Sequence, residues 1–541
     1  MIRKVSQMPS SPSAWQVRDW RQVAKDYDRL VFSQDATEDF FPLLWWDDEN
    51  INHSGRMFGL PSYVGGIKSG GKHEAINCAA AVLSATLVGI DKRHQHGTNW
   101  VAMLQGYYDP GQHLFLNQTF RPENPSFWYD LYPHILLYAL TWLYPEESNL
   151  ASMMEATANR WLQALEGLRM PNGQLDFTYT AYDFTRDQGV HNGRWAEPDA
   201  AAGIAWMMAM AYAHTQASAY REAALSALHA LANNPANPLY ELLLPFGAYT
   251  AARMNAEADQ TFDVAALLNW CFDGDSEVRP GWGVIAERWG DYDCYGLVGS
   301  TTDWGQRWDH MDTNASSEVL PNSGYAFAAN TFAYAFPLVP LVRYDPQFAH
   351  DIGKWMTHAI VSARLFYPGS WSPQQQSCAF FRSDPYDVIA YEGLRKLWDH
   401  QSPYATGDPI RYSWGSIDLG LYGSSHVGIF GGIVQSTAVD GLVLFDLLAT
   451  DVFHGPACPT FLAYNPHPTG QALPLDVGLQ PTVIYDAVTH RVLAQGQGMV
   501  SIPIAPDQAA VLVLVPATEP ITTRSGKRWA GDTVIDFHIG T

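Results

Sequence analysis

The sequence predicts a mainly α-helical chain: a toroid of six helical hairpins, an (α/α)6 arrangement, over residues 1–454, then a small antiparallel β-sandwich over 455–541. Three observations predict it. Helical segments alternate between charge-free and amphipathic ones. Links leaving a charge-free helix are short, whereas links entering one are long. From about Gly455 short β-type runs replace helices.

Residues 14–32 alternate charge and apolar side chains at helical spacing, as a surface helix does. Residues 74–90 form a charge-free helix after Glu74, followed by a helix over 95–108. Apolar 127–143 and amphipathic 147–168 make the next pair. The segment 200–213 carries no charge and no polar face, so it is expected to be buried all round. Pro198 suits its first turn, and Glu197 and Asp199 flank that proline at the positive end of the helix dipole. Helices at 217–233, 245–255, 261–272, 324–342 and 347–366 continue the alternation. An extra helix near 386–400 precedes a last apolar one over 426–447. In the tail, 461–465, 482–485, 500–504 and 510–515 read as strands.

Helices joined by short turns are antiparallel neighbours. The long links must then gather at one end, where the charge-free helices begin. Long polar, aromatic segments on one rim of a helical scaffold are where function is expected.

A net charge of −23 argues against nucleic acid and anionic membrane as partners. No apolar stretch of signal-peptide length follows the first basic residues, and the five cysteines are scattered without zinc-ligand spacing. A soluble, cytoplasmic protein with reduced thiols and no cofactor or metal is therefore expected. Gly66, Gly71 and Lys72 match part of a phosphate loop, but His73 stands where a magnesium-binding hydroxyl belongs. Several of the 20 tryptophans lie in polar, Gly-rich segments that need no core residue. A flat aromatic face beside polar side chains suits a sugar, which offers a C–H face and a rim of hydroxyls. The expected partner is an oligosaccharide or glycoside.

The layout resembles the six-hairpin glycosidase superfamily, bacterial (α/α)6 carbohydrate-active enzymes often followed by a β-domain. The resemblance rests on the hairpins, on acids at inner-helix starts, and on the segments Phe58-Gly-Leu-Pro-Ser-Tyr-Val64, Asn322-Ser-Gly-Tyr-Ala-Phe-Ala-Ala-Asn330 and Leu421-Tyr-Gly-Ser-Ser-His426. It implies a carbohydrate substrate and a site at the inner-helix starts, without assigning the acid or the base.

Glycosidic cleavage by the usual route needs two carboxyl groups, one protonated and one charged. Glu197 is the first candidate for the acid, since burial against Trp195 and the apolar helix would raise its pKa. Asp199, Asp130 and Asp48 are candidates beside it; Glu74, Asp309 and Asp312 also fall on the rim. Trp45, Trp46, Asp47, Tyr63, Trp128, Tyr129, Trp195, Trp304, Trp308, Asn322, Tyr325, Asp418 and His426 are the expected sugar contacts. A glycoside hydrolase is the leading reading. The runner-up is a polysaccharide lyase using a Tyr/His pair, whose uronate substrate would need Arg or Lys in the cleft. A non-catalytic glycan-binding protein is the third.

Overall fold

The structure, a computed structural model, describes residues 1–541 except 38, 49–55, 70–71, 120–124, 193–194, 280, 301–323, 380–385, 399 and 540–541. Six helical stretches form its interior: Ala75–Leu87, Phe127–Leu143, Ala200–Thr215, Leu244–Ala258, Ala328–Tyr344, and Leu421–Ser424 continued by Val427–Ile433. Each packs on the next in chain order, and the sixth returns to pack on the first. The contacts thus close in a ring, as segments without a polar face require if every side is to be covered.

Outside the ring, Trp20–Val31 packs on the sixth inner helix, Ser148–Gly167 on the second and Ser218–Ala232 on the third. Val264–Phe272 packs on the fourth and Ala349–Ser362 on the fifth. The helix expected over 95–108 is reduced to one turn, Trp100–Met103, between 3₁₀ turns. His96 and Gly97 take left-handed backbone angles there, and Asn99 caps the restart by accepting from Ala102 N at 2.9 Å.

Two devices let the ring pack closely. On the sixth inner helix Gly428 meets the first helix backbone to backbone: a methyl placed on it would run into the carbonyl and Cα of Ser84. The Ser84 hydroxyl accepts from Gly428 N at 3.1 Å and itself donates to the Ser425 carbonyl. On the fifth, Pro340 lacks the N–H that would bond the Phe336 carbonyl. Thr450 Oγ1 donates to that carbonyl instead, at 2.7 Å.

The last inner helix ends at Ile433, not at 447. Val434–Ser436 and Val443–Asp446 are strands joined through a turn with Gly441 at φ 79°, and the apolar 443–446 run that reads as helix pairs with Thr460–Tyr464. The resulting six-stranded antiparallel sheet has strands on both sides of residue 455, ordered 434–436, 443–446, 460–464, 509–516, 482–486, 491–496. One face, with Leu444, Ile484, Leu512 and Leu514, covers the pair Gln471–Asp476 and Met499–Ile504. The other face, with Leu462, Val511 and Val513, joins the main core beside Ala349–Ser362.

The helix expected near 386–400 is absent. Gly393–Arg395 is instead a strand in a five-stranded sheet ordered 404–406, 393–395, 325–327, 298–300, 283–284. The middle strand, Tyr325–Phe327, runs directly into the fifth inner helix, so this sheet stands at the helix starts.

Replacing Gly428 with alanine should lower unfolding free energy by about 1–3 kcal/mol, because neither backbone at the contact can yield cheaply. Gly369→Ala, where an added methyl meets nothing within 4 Å, should change it by less than about 0.5 kcal/mol. Denaturant unfolding of the two variants checks the contrast.

Candidate active site

Hollows of about 920 and 710 Å³ lie beside the N-terminal segment and the first outer helix, and among the described residues no aromatic side chain lines either. Another, about 550 Å³, opens at the N-terminal ends of the inner helices. Glu74 enters it from the N-cap of the first, Trp128 and Tyr129 from the first turn of the second, and Tyr240 and Glu241 from just before the fourth. Phe327 and Asn330 come from the start of the fifth and Tyr422 from the sixth. Tyr63 and the segment carrying Asp408, Arg411 and Trp414 complete the rim.

One wall is a continuous run of rings and cations. Arg395 Cζ lies 4.4 Å from the Tyr325 ring, its cross-strand partner, and Tyr325 and Phe327 are 6.2 Å apart. Phe327 is 6.5 Å from Trp282, and Arg279 Cζ lies 4.5 Å from Trp282 and 4.6 Å from Tyr240.

Four carboxylates face the same space: Glu74, Glu241, Glu392 and Asp408. Glu392 is the most enclosed. Its Oε2 accepts from Asp408 N at 2.7 Å. Burial, followed by the charge of Asp408, holds its pKa well above the usual carboxylate range. Glu74, held by Asn117 Nδ2 at 2.9 Å and by Ser62 Oγ at 3.4 Å, is also shifted upward by burial. Glu241 differs in being held by a cation: Arg279 Nη1 donates to it at 3.2 Å. Asp408 is paired with Arg395 at 3.1 Å.

Behind the wall, fully buried acids hold the backbone that carries the lining residues. Glu197 does not reach the cavity; it accepts from Ser126 Oγ at 2.6 Å and Trp128 N at 2.7 Å, fixing the start of the second inner helix. Burial pushes its pKa well up. Asp199 accepts from Tyr240 N at 3.1 Å and Glu241 N at 3.4 Å, and burial pushes it to about 7. Asp418 accepts from Ser377 Oγ, Thr406 Oγ1 and Ile410 N, pinning the segment that bears Asp408 and Arg411.

Of the other expected residues, Tyr63, Trp128, Tyr129 and Tyr325 line the cavity. Asp130 is buried in the first turn of the second inner helix and does not line it. Asp48 is exposed and bound to Arg56 at 2.8 Å, Trp46 stacks on Trp100 at 5.5 Å, and Trp45 stands against His73 at 5.4 Å. Asp47 is buried against His73 Nε2 at 3.0 Å. Trp195 flanks Arg279 at 5.4 Å, outside the lining. His426 is buried beneath, stacked on Tyr132, its Nδ1 on the Tyr422 carbonyl at 3.0 Å; burial lowers it to about 4. Trp304, Trp308 and Asn322 lie outside the described residues, as do Asp309 and Asp312. Sequence reasoning missed Glu241, Glu392, Arg395, Asp408 and Arg411. The only signal for Glu392 was an acid followed by Gly393, inside a segment whose helix-forming side chains hid a strand.

No protein-family model matches the chain, and no curated protein matches it in sequence. Solved structures do. A GH127 β-L-arabinofuranosidase from Geobacillus stearothermophilus T6 is similar over 96% of this chain and 85% of its own, at 12% identity and a TM-score of 0.42. A family 76 glycoside hydrolase from a bovine Bacteroides thetaiotaomicron strain overlaps 76% of this chain and 77% of its own, at 9% identity and 0.39. A possible member of the GH105 family from Salmonella enterica serovar Paratyphi A overlaps 78% and 95%, at 11% and 0.36. At such identities and overlaps these likenesses assign neither family, substrate nor catalytic residue here.

The raised pKa of Asp199 has a stability consequence. Between its unfolded value near 4 and its folded value of about 7, the native state holds a proton that the unfolded chain has lost, so stability falls as pH rises through that window. The slope from this one group is about 1.4 kcal/mol per pH unit. Asp199→Asn should make the measured decline between pH 4 and 7 shallower; an unchanged slope would show that Asp199 titrates normally.

Proposed function

We propose that this protein is a glycoside hydrolase on an (α/α)6 toroid, with a β-sandwich appended, and that its substrate enters the cavity at the inner-helix starts. Glu392 serves as proton donor to the leaving oxygen, and Glu241 as the base on water or the nucleophile. The observation that carries this reading is the pairing of unlike carboxyls in one aromatic-lined cavity. Burial raises the pKa of Glu392, while Glu241 accepts from Arg279 Nη1 at 3.2 Å. Two carboxyls in unlike surroundings, one buried and one held by a cation, suit acid–base cleavage. Trp128, Tyr129 and Trp414 offer faces on which a sugar ring can stack.

The lyase reading has weaker support. Arg279, Arg395 and Arg411 line the cavity, as it requires, but no histidine does among the described residues, so a Tyr/His pair is not assembled there. A non-catalytic glycan-binding protein would show affinity without turnover.

An oligosaccharide panel assayed for new reducing ends tests the proposal. Glu392→Gln and Glu241→Gln should each lower kcat by about 100-fold or more with folding retained. Glu197→Gln should act on melting temperature, with turnover per folded molecule within about threefold of the parent. Undiminished turnover in Glu392→Gln would remove it as the acid, and an unsaturated, ultraviolet-absorbing product would decide for the lyase.

A further inference from the structure

Four groups that line the cavity are at least nine-tenths buried and have a polar atom with no partner among the described residues: the Tyr325 hydroxyl, Asn330 Nδ2, Arg395 Nε and Trp282 Nε1. Three of the four can only donate, and the tyrosine can. Buried donors without acceptors are costly, so such groups are commonly completed by a ligand or water. These share one wall. Tyr325 and Arg395 are cross-strand partners, Trp282 stands beyond Phe327, and Asn330 lies in the first turn of the helix that follows.

A set of partnerless donors gathered on one wall selects among ligands. A neutral sugar hydroxyl brings a hydrogen that must itself be accepted, whereas a carboxylate brings about four acceptor positions and no donor. Charge agrees with the count. Arg395 and Arg279 stand at the two ends of the wall, each planar fork suited to a carboxylate. Of the four acids facing the cavity, Asp408 and Glu241 are ion-paired to these two arginines. Burial holds Glu392 and Glu74 toward their neutral forms, which lessens repulsion of an anion. The chain as a whole carries −23, so an anionic ligand would be repelled except where cations are concentrated locally.

We propose that this wall receives the carboxylate of an acidic monosaccharide, making the substrate a uronic-acid-containing glycan. The proposal rests on the glycoside hydrolase reading above and narrows its substrate.

Calorimetric titration of the intact protein with glucuronate- and galacturonate-containing oligosaccharides, and with the same oligosaccharides after reduction of their carboxyls to alcohols, tests it. At least one acidic form should bind about tenfold or more tightly than its reduced counterpart. Tyr325→Phe removes a hydroxyl that bonds nothing among the described residues, so melting temperature should hold while affinity for the acidic form falls about three- to tenfold. Asn330→Asp sets a negative charge against the ligand and should erase the preference for the acidic form. If the reduced counterparts bind as well as the acidic ones, the uronate assignment fails and the hydrolase reading stands. If no glycan of either kind binds or turns over, both fail.

Discussion

Gly428 has no side chain because the backbone of Ser84 occupies the space where one would be, and at this contact the last inner helix meets the first. The other inner helices follow one another along the chain and are tied by their links. This pair is separated by more than 300 residues and held by packing and by the Ser84 hydroxyl, with backbone hydrogen bonds such as Tyr422 N to the Ser62 carbonyl at its mouth. Closure decides whether six greasy helices share an interior. It also brings their amino ends together, so the positive ends of several helix dipoles converge on one hollow. Segments far apart in sequence, carrying Glu74, Glu241 and Glu392, can face each other only because the ring is shut.

The hollow is built in two tiers, and acids serve in both. Glu197, Asp199 and Asp418 lie behind the wall and accept backbone N–H groups at Trp128, Tyr240, Glu241 and Ile410, which fixes where the lining side chains start. An ionised carboxylate there would be costly without these donors, and the upward shift of Glu197 and Asp199 shows that burial still dominates over them. Glu392 joins the tiers: one oxygen holds Asp408 N while the side chain lines the cavity. A rigid backing suits a site in which small misplacements of a reacting group are costly.

Helices were legible in the sequence wherever packing demands were uniform along a segment. Apolar 127–143 is found as Phe127–Leu143, since a helix buried on nearly all sides is largely apolar and a helix half in water is not. The five-stranded sheet was not legible, because its strands are scattered between residues 283 and 406 and each is only two or three residues long. Residues 386–400 favour a helix by composition, and the pairing of Arg395 with Tyr325 and Tyr404 overrides that preference. The candidate site was half legible for a related reason. Acids at helix mouths stand out in the sequence whether they face a ligand or anchor a backbone; Glu197 and Asp199 do the latter. Glu241 and Glu392 carry no mark of their own, since what singles them out is a neighbour, Arg279 for one and Tyr63 and Asp408 for the other.

A crystal structure of the protein with a bound oligosaccharide product tests the central claim most directly. The sugar should sit at the joined amino ends of the inner helices, with one ring against Trp128 or Trp414 and the cleaved oxygen within hydrogen-bond reach of Glu392. The separation of the Glu392 and Glu241 carboxyls would then report the stereochemical course, about 5–5.5 Å for retention and about 6.5–9.5 Å for inversion. A sugar bound instead on the exposed hairpin around Trp46, or on the outer sheet, would contradict the account.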